Sequence, residues 1–98
     1  MSGLPTFKFQ LYIAGDTQNS VQAVANLSAI CRDHLPNRHE IEVVNVLREP
    51  KRALTDGIFL TPTLVKLGPS PVRKIVGTLS QTQVVLIALG LKLETVTA

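Results

Sequence analysis

The run Thr61-Pro62-Thr63-Leu64-Val65-Lys66-Leu67-Gly68-Pro69-Ser70-Pro71-Val72-Arg73-Lys74-Ile75-Val76-Gly77-Thr78-Leu79 carries the reading from which the fold follows. Leu64 to Leu67 and Val72 to Val76 are rich in β-branched and aliphatic residues, which suit a buried strand. Between them Gly68-Pro69-Ser70-Pro71 makes a tight connection, because proline fixes φ, glycine relieves it, and neither extends a ladder comfortably. The two segments therefore read as a β-hairpin. Pro62 stands at its entrance, where a missing N–H removes no ladder bond and where a cis peptide would aim the strand.

Outward from the hairpin, the chain alternates strand and helix. Phe7 to Ile13 begins as an apolar/polar alternation and becomes continuously apolar, as a strand entering the middle of a sheet does. The turn cluster Ala14 to Ser20 offers Thr17, Asn19 or Ser20 as helix caps, so a helix is expected from about Ser20 until Pro36-Asn37 ends it. Val21, Val24, Leu27, Cys31 and Leu35 recur at helical spacing as its apolar face, with Gln22, Asn26, Arg32 and Asp33 opposite. Glu40 to Leu47 reads as a second strand with one face or edge near solvent, parallel to the first because the unit is βαβ. Pro50 suits the first turn of a short helix reaching about Asp56, with Gly57 at its end. After Gly77, Ser80 and Gln83 have capping-box spacing, and Val84, Val85, Ile87, Ala88 and Leu91 supply the apolar face of a last helix. Met1 to Pro5 and Lys92 to Ala98 read as loose ends. The order is β-α-β-α-β-β-α, a sheet with a parallel N-terminal half and an antiparallel C-terminal hairpin. That is a thioredoxin-like α/β arrangement in a single domain spanning residues 1–98, with an ordered core over about 7–91.

The totals narrow the function. With 98 residues, 45% of them hydrophobic, the chain builds one core and not two. A net charge of +3 from scattered lysines and arginines gives no basic stripe with interleaved aromatics, so nucleic acid is not expected as a partner. No apolar run approaches the roughly eighteen residues that a span needs, and no signal-peptide pattern opens the chain, so no membrane is expected and the reading is cytoplasmic. The single cysteine, Cys31, allows neither an internal disulfide nor a C-x-x-C pair. It falls on the apolar helix face, where a small core residue is the simpler reading than a redox sensor. His34 and His39 flank the Pro36 turn without a third ligand nearby, which favours solvated loop residues over a metal site. No Ser-His-Asp spacing, carboxylate pair or phosphate-binding glycine pattern is visible, so neither catalysis nor a cofactor is expected. Arg73 and Lys74 suit either a grip on an acidic partner or the protection of an edge strand. Pro62, Pro69 and Pro71 shape turns, or by slow isomerisation gate a conformational change.

The segments L-Y-I-A-G-D-T-Q-N-S (Leu11 to Ser20), V-N-V-L-R-E-P (Val44 to Pro50) and the opening run through Ser80 resemble the KaiB family over roughly Phe7 to Leu91. T-P-T-L-x-K followed by P-x-P-V-R-[RK]-I-x-G is specific in combination. The resemblance implies a non-enzymatic protein that docks on a KaiC-type ATPase ring and alters its phosphorylation cycle. It also implies two folds, the thioredoxin-like form and a resting form with a rearranged C-terminal half that associates with itself as a dimer or tetramer. The two packings then differ by only a few kcal/mol. Cyanobacterial members usually carry Gly at the position of Ala88 and Asp at that of Gly90. Alanine in place of glycine favours a helix by roughly 1 kcal/mol, about fivefold in a two-state ratio, which tilts the expectation toward the thioredoxin-like form. Gly90 offsets that gain only if it lies inside the helix. Members tend to be basic where Gln22, Glu42 and Gly57 stand here, and usually have Asp at Thr78. Weaker docking on an acidic surface, or a divergent or non-clock partner, is expected from those departures. Partner contacts are expected at Gln22, Asn26, Glu42, Arg73 and Lys74, and the conformational switch at Pro62, Pro69, Pro71, Ala88 and Gly90. The competing expectation is a redox or stress protein of thioredoxin ancestry acting through Cys31.

Overall fold

A computed structural model describes residues 4–91, so the expected loose ends before Leu4 and from Lys92 onward lie outside the described residues. The elements are β1 (Phe7–Ile13), α1 (Gln18–His34), β2 (His39–Asn45), α2 (Pro50–Thr55), β3 (Thr63–Gly68), β4 (Arg73–Val76) and α3 (Thr82–Ala88). The sheet order is β2-β1-β3-β4, with β2 parallel to β1 and the β3–β4 hairpin antiparallel. The thioredoxin-like arrangement expected from the residue pattern is the one observed.

Alternation along β1 sorts the core into two layers. Phe7, Phe9 and Leu11 point to the side covered by α1 and α3, where they join Leu27, Cys31, Leu64, Leu86 and Leu89. Tyr12 points to the other side, where Val44, Val65, Ala53 and Ile58 form a smaller cluster under α2. β1 and β3 are thus covered on both faces, while β2 and β4 are the edges.

Three local expectations are corrected. First, α1 starts at Gln18, with the Thr17 side chain accepting from the Ser20 N–H. Ser20 is buried in the first turn, where its Oγ accepts from the Ala14 N–H at 3.1 Å. The buried stripe is Ser20, Ala23, Leu27, Ile30 and Cys31, whereas Val21 is exposed. Ser20 turns inward because its hydroxyl oxygen accepts from both the Ala14 N–H and the Thr17 hydroxyl, a demand that a hydrophobicity pattern does not register. Second, Ser80 does not cap α3; the helix begins after Gln81 without a side-chain cap bond, and the Ser80 hydroxyl lies 3.3 Å from Thr78 Oγ1. Third, α3 buries Val85 and Leu86, with Leu89 buried just past its end, and leaves Val84 and Ile87 exposed. The strands also shift by a residue or more, β2 ending at Asn45 and β4 beginning at Arg73.

Gly57 and Gly90 end two helices in the same way. At α2 the Gly57 N–H donates to Leu54 C=O and the Ile58 N–H to Ala53 C=O; at α3 Gly90 and Leu91 donate to Ile87 and Leu86. Both glycines have left-handed φ, 71° and 80°, and both motifs set an apolar residue against the helix end. Gly90 therefore lies past the helix, not inside it, and its offset to the Ala88 gain is removed. No atom lies within 4 Å of a Cβ added at Gly90, so backbone strain alone decides a substitution there. Gly90→Val is expected to destabilise the fold by about 1–3 kcal/mol, and Gly90→Asn by less, because asparagine tolerates the left-handed region. Urea midpoints of the two variants check this; equal midpoints would reject the helix end described.

Candidate docking surface

The side of the sheet under α2 carries a polar network. Tyr12 is buried, and its hydroxyl proton has two acceptors in reach, the Asp56 carboxylate at the end of α2 and Gln10 Oε1 at 3.0 Å. Burial first, and Asp56 second, push the tyrosine pKa up to about 12. Next along the sheet, Gln10 Nε2 donates to Glu42 at 3.2 Å, and Arg52 from α2 donates both of its terminal nitrogens to the same carboxylate at 2.6 and 2.7 Å. These donors, the guanidinium first, hold the Glu42 carboxyl below its usual range. Lys74 on β4 donates to the Asp56 carbonyl at 3.0 Å. The short α2 is thereby tied at both ends to the sheet, and the turn at Gly57 is held with it.

On the opposite side Lys66, the lysine of T-P-T-L-x-K, is buried. Its ammonium lies 3.4 Å from the Leu89 carbonyl and 5.6 Å from the centre of the Phe7 ring. A cation at a helix C-terminus meets the negative end of the dipole, so Lys66 fastens the end of α3 to the hairpin. Burial, and then the neighbouring Arg73, pull its pKa down.

The residues expected to touch a partner do not converge. Gln22 is exposed on α1; Asn26 is half-buried and donates to the Thr78 carbonyl at 2.8 Å, which ties the β4–α3 connection to α1. Glu42 sits on the β2 edge under α2 and is held by Arg52. Arg73 and Lys74 sit on the far β4 edge, and alternation turns them to opposite faces. Among the residues expected to switch, Pro62 is buried at the entrance of β3, where its carbonyl accepts from the Gly77 N–H. Pro69 and Pro71 lie in the β3–β4 connection, at the other end of the hairpin. All three X-Pro bonds are cis. Ala88 is the last residue of α3, with Gly90 just beyond it.

Residue patterns missed the apolar surface between α2 and β3. Phe59 is 83% exposed, Leu60 62% and Leu54 69%. Two adjacent bulky residues after a helix-ending glycine, outside any periodic element, were the available signal.

Cys31 stands in the core with no exposed surface, and burial raises its thiol to about 11. At pH 8 the thiolate fraction alone makes it roughly a hundredfold less reactive than a free cysteine. A thiol-specific chromogenic disulfide is expected to react slowly with the native chain and promptly in denaturant; fast native labelling would contradict the placement. His39 Nδ1 lies 2.7 Å from the Leu35 carbonyl, and no group of three metal-ligating side chains occurs among the described residues. No helix of the described residues is long and apolar enough to cross a membrane.

Comparison with known proteins gives both sequence and fold relatives. The KaiB domain family matches residues 10–91. The chain is 45% identical over 89 residues to the circadian clock oscillator protein KaiB of Rippkaea orientalis, covering 91% of this chain and 86% of that one. It is 40% identical over 82 residues to circadian clock protein KaiB3 of Synechocystis sp., covering 84% and 80%. Among solved structures, the N-terminal domain of Synechococcus elongatus SasA matches with a TM-score of 0.72 at 20% identity, over 99% of this chain and 94% of that one. Chloroplastic thioredoxin z matches at 0.73 and 17% identity, over 88% and 78%. At such identities the last two speak for the fold alone.

Proposed function

The chain belongs to the KaiB family, and from that premise we propose that it is an adaptor of circadian or stress timing that binds a KaiC-type ATPase ring and modulates its phosphorylation cycle. The observation that carries this reading is the family match across nearly the whole fold. The site of chemistry in a thioredoxin frame supports it: the turn after β1 holds Gly15-Asp16-Thr17 where a dithiol would stand, and the one thiol is sealed in the core. Gln22 on α1, Asn26 beside it, Glu42 on one sheet edge, and Arg73 and Lys74 on the other are its proposed contacts. Since Glu42 is already engaged by Arg52, its share of the docking charge is reduced. In the same reading the second packing is reached by rearranging the chain from Pro62 onward, through Pro69 and Pro71. Ala88, Gly90 and the Lys66 contact then set how firmly α3 is held.

A pull-down of the chain on a purified KaiC-type ring at low and at high salt tests this. Capture that weakens as salt rises is expected, because exposed charges are screened within about 10 Å at 0.1 M. No capture at either salt rejects the reading, as does disulfide-reductase activity that persists in the purified chain and disappears with Cys31→Ser.

A further inference from the structure

Asp56-Gly57 is the one Asx-Gly pair in the chain. It stands where α2 ends, Asp56 just past the last helical residue and Gly57 with a left-handed φ of 71°. In an open chain such a pair modifies itself. With the carboxyl protonated, the Gly57 nitrogen attacks Asp56 Cγ; an N–Cγ bond forms, and the acid hydroxyl leaves with the amide proton as water. A second water then opens the five-membered imide. Breaking the N–Cγ bond restores aspartate, whereas breaking the bond from that nitrogen to the Asp56 main-chain carbonyl carbon leaves isoaspartate, with the chain now running through the side chain. Glycine permits the attack because no Cβ crowds the nitrogen.

The fold opposes ring closure at this pair. At Asp56 φ is −87° and ψ is 2°, so its own nitrogen eclipses that of Gly57 about the Cα–C bond. Cβ stands about 120° away at the tetrahedral carbon and carries Cγ away from the nitrogen that must reach it. Closing the ring therefore needs a main-chain rotation, and the neighbours resist it. The Gly57 N–H donates to Leu54 C=O at 3.1 Å and the Ile58 N–H to Ala53 C=O at 2.9 Å, with Ile58 anchored in the smaller core. The Asp56 carboxylate accepts from the Tyr12 hydroxyl, and its carbonyl accepts from Lys74 Nζ at 3.0 Å. These fastenings are local. α2 has 6 residues, buries only Ala53 and begins without a side-chain cap, which places it among the elements that open ahead of the core.

We propose that Asp56-Gly57 is a site of spontaneous isomerisation that the Tyr12–Asp56 bond and the α2 turn keep shut, so that isoaspartate forms in molecules whose turn has opened. Each event adds a methylene to the main chain before Gly57 and takes the side-chain carboxylate from Tyr12. The turn then cannot reclose as before, and the modified fraction records the time it has spent open. The site goes beyond the ring-binding reading and does not depend on it.

The test ages the purified full chain at neutral pH and then digests it with trypsin. Chromatography of the segment from Ala53 to Lys66 resolves aspartate from isoaspartate at Asp56. In concentrated urea isomerisation should run at least about tenfold faster than in the native chain, because the turn is then always open. Tyr12→Phe should raise the native rate at least about threefold and leave the rate in urea unchanged. Should that variant fail to fold, Lys74→Met, at an exposed position, carries the same comparison through the Asp56 carbonyl contact. Urea well below the unfolding midpoint should scarcely alter the native rate, because a local opening exposes little surface. A native rate equal to the unfolded one, no isoaspartate even in urea, or a folded Tyr12→Phe that ages at the parental rate overturns the proposal. So does a native rate that climbs with urea in step with global unfolding. Loss of ring capture leaves these rates untouched, so the two readings fail separately.

Discussion

Leu11→Ala is expected to lower the unfolding free energy by about 2–5 kcal/mol, against a total of about 5–15 for a domain of this size. Leu11 has no exposed surface and sits at the middle of β1, with α1 and α3 above it and Leu64 beside it on β3. Few neighbours can close in on the lost methyl groups, because β1 is paired on both sides and cannot shift alone. Each kcal/mol lowers the melting temperature of such a domain by roughly 4–8 °C, so the variant should melt more than about 8 °C below the parent. The control is Val43, the residue paired with Leu11 across to β2 and 46% exposed. Val43→Ala should change stability by less than about 1 kcal/mol. Urea titrations of the two variants with unchanged slopes give the comparison, and similar losses at both positions would contradict the layering of the core.

Removing one hydroxyl comes next in size. Tyr12→Phe is expected to destabilise by about 1–3 kcal/mol, because the half-buried Asp56 carboxylate loses its donor while keeping the loss of hydration. The pH dependence gives the sign. The folded state holds the tyrosine proton more tightly than the unfolded chain, with a pKa of about 12 against the usual 10.0. The contribution is therefore complete below pH 10 and is lost as pH rises through about 12. The gap between parent and variant should be steady from pH 7 to 9 and narrow above 10. Tyr12 is the only tyrosine, so its tyrosinate absorbance reports this titration without interference. A normal titration near 10, or a gap that widens in alkali, would remove the Tyr12–Asp56 bond.

The lessons of sequence and structure divide by distance along the chain. Hairpin, the end of α2 and the parallel β1–β2 pair were legible because each rests on neighbours: prolines between two β-rich segments, a glycine after a short helix, a helix between two strands. Even so, the face of α1 was misread at Ser20, which the Ala14 N–H and the Thr17 hydroxyl hold inward, and at Ala23, which is buried in the core. Likewise α3 was given Val84 and Ile87 in place of Leu86 and Leu89, since a helix of two turns leaves its apolar side ambiguous. The placement of Cys31 in the core was legible from spacing alone.

The candidate surface was hardly legible. Tyr12 meets Asp56 across 44 positions, and Arg52 captures Glu42 only because α2 folds back over the β2 edge. The sequence by itself determined the element order, the family and the sealed thiol, since periodicity, turn chemistry and motif are properties of short segments. The tertiary structure alone decided that Glu42 and Lys74 share the face under α2 while Gln22 and Arg73 stand elsewhere, and that Phe59 and Leu60 stand in solvent. Those outcomes follow from the strand order β2-β1-β3-β4 and from the side on which each helix lands, which no local stretch encodes.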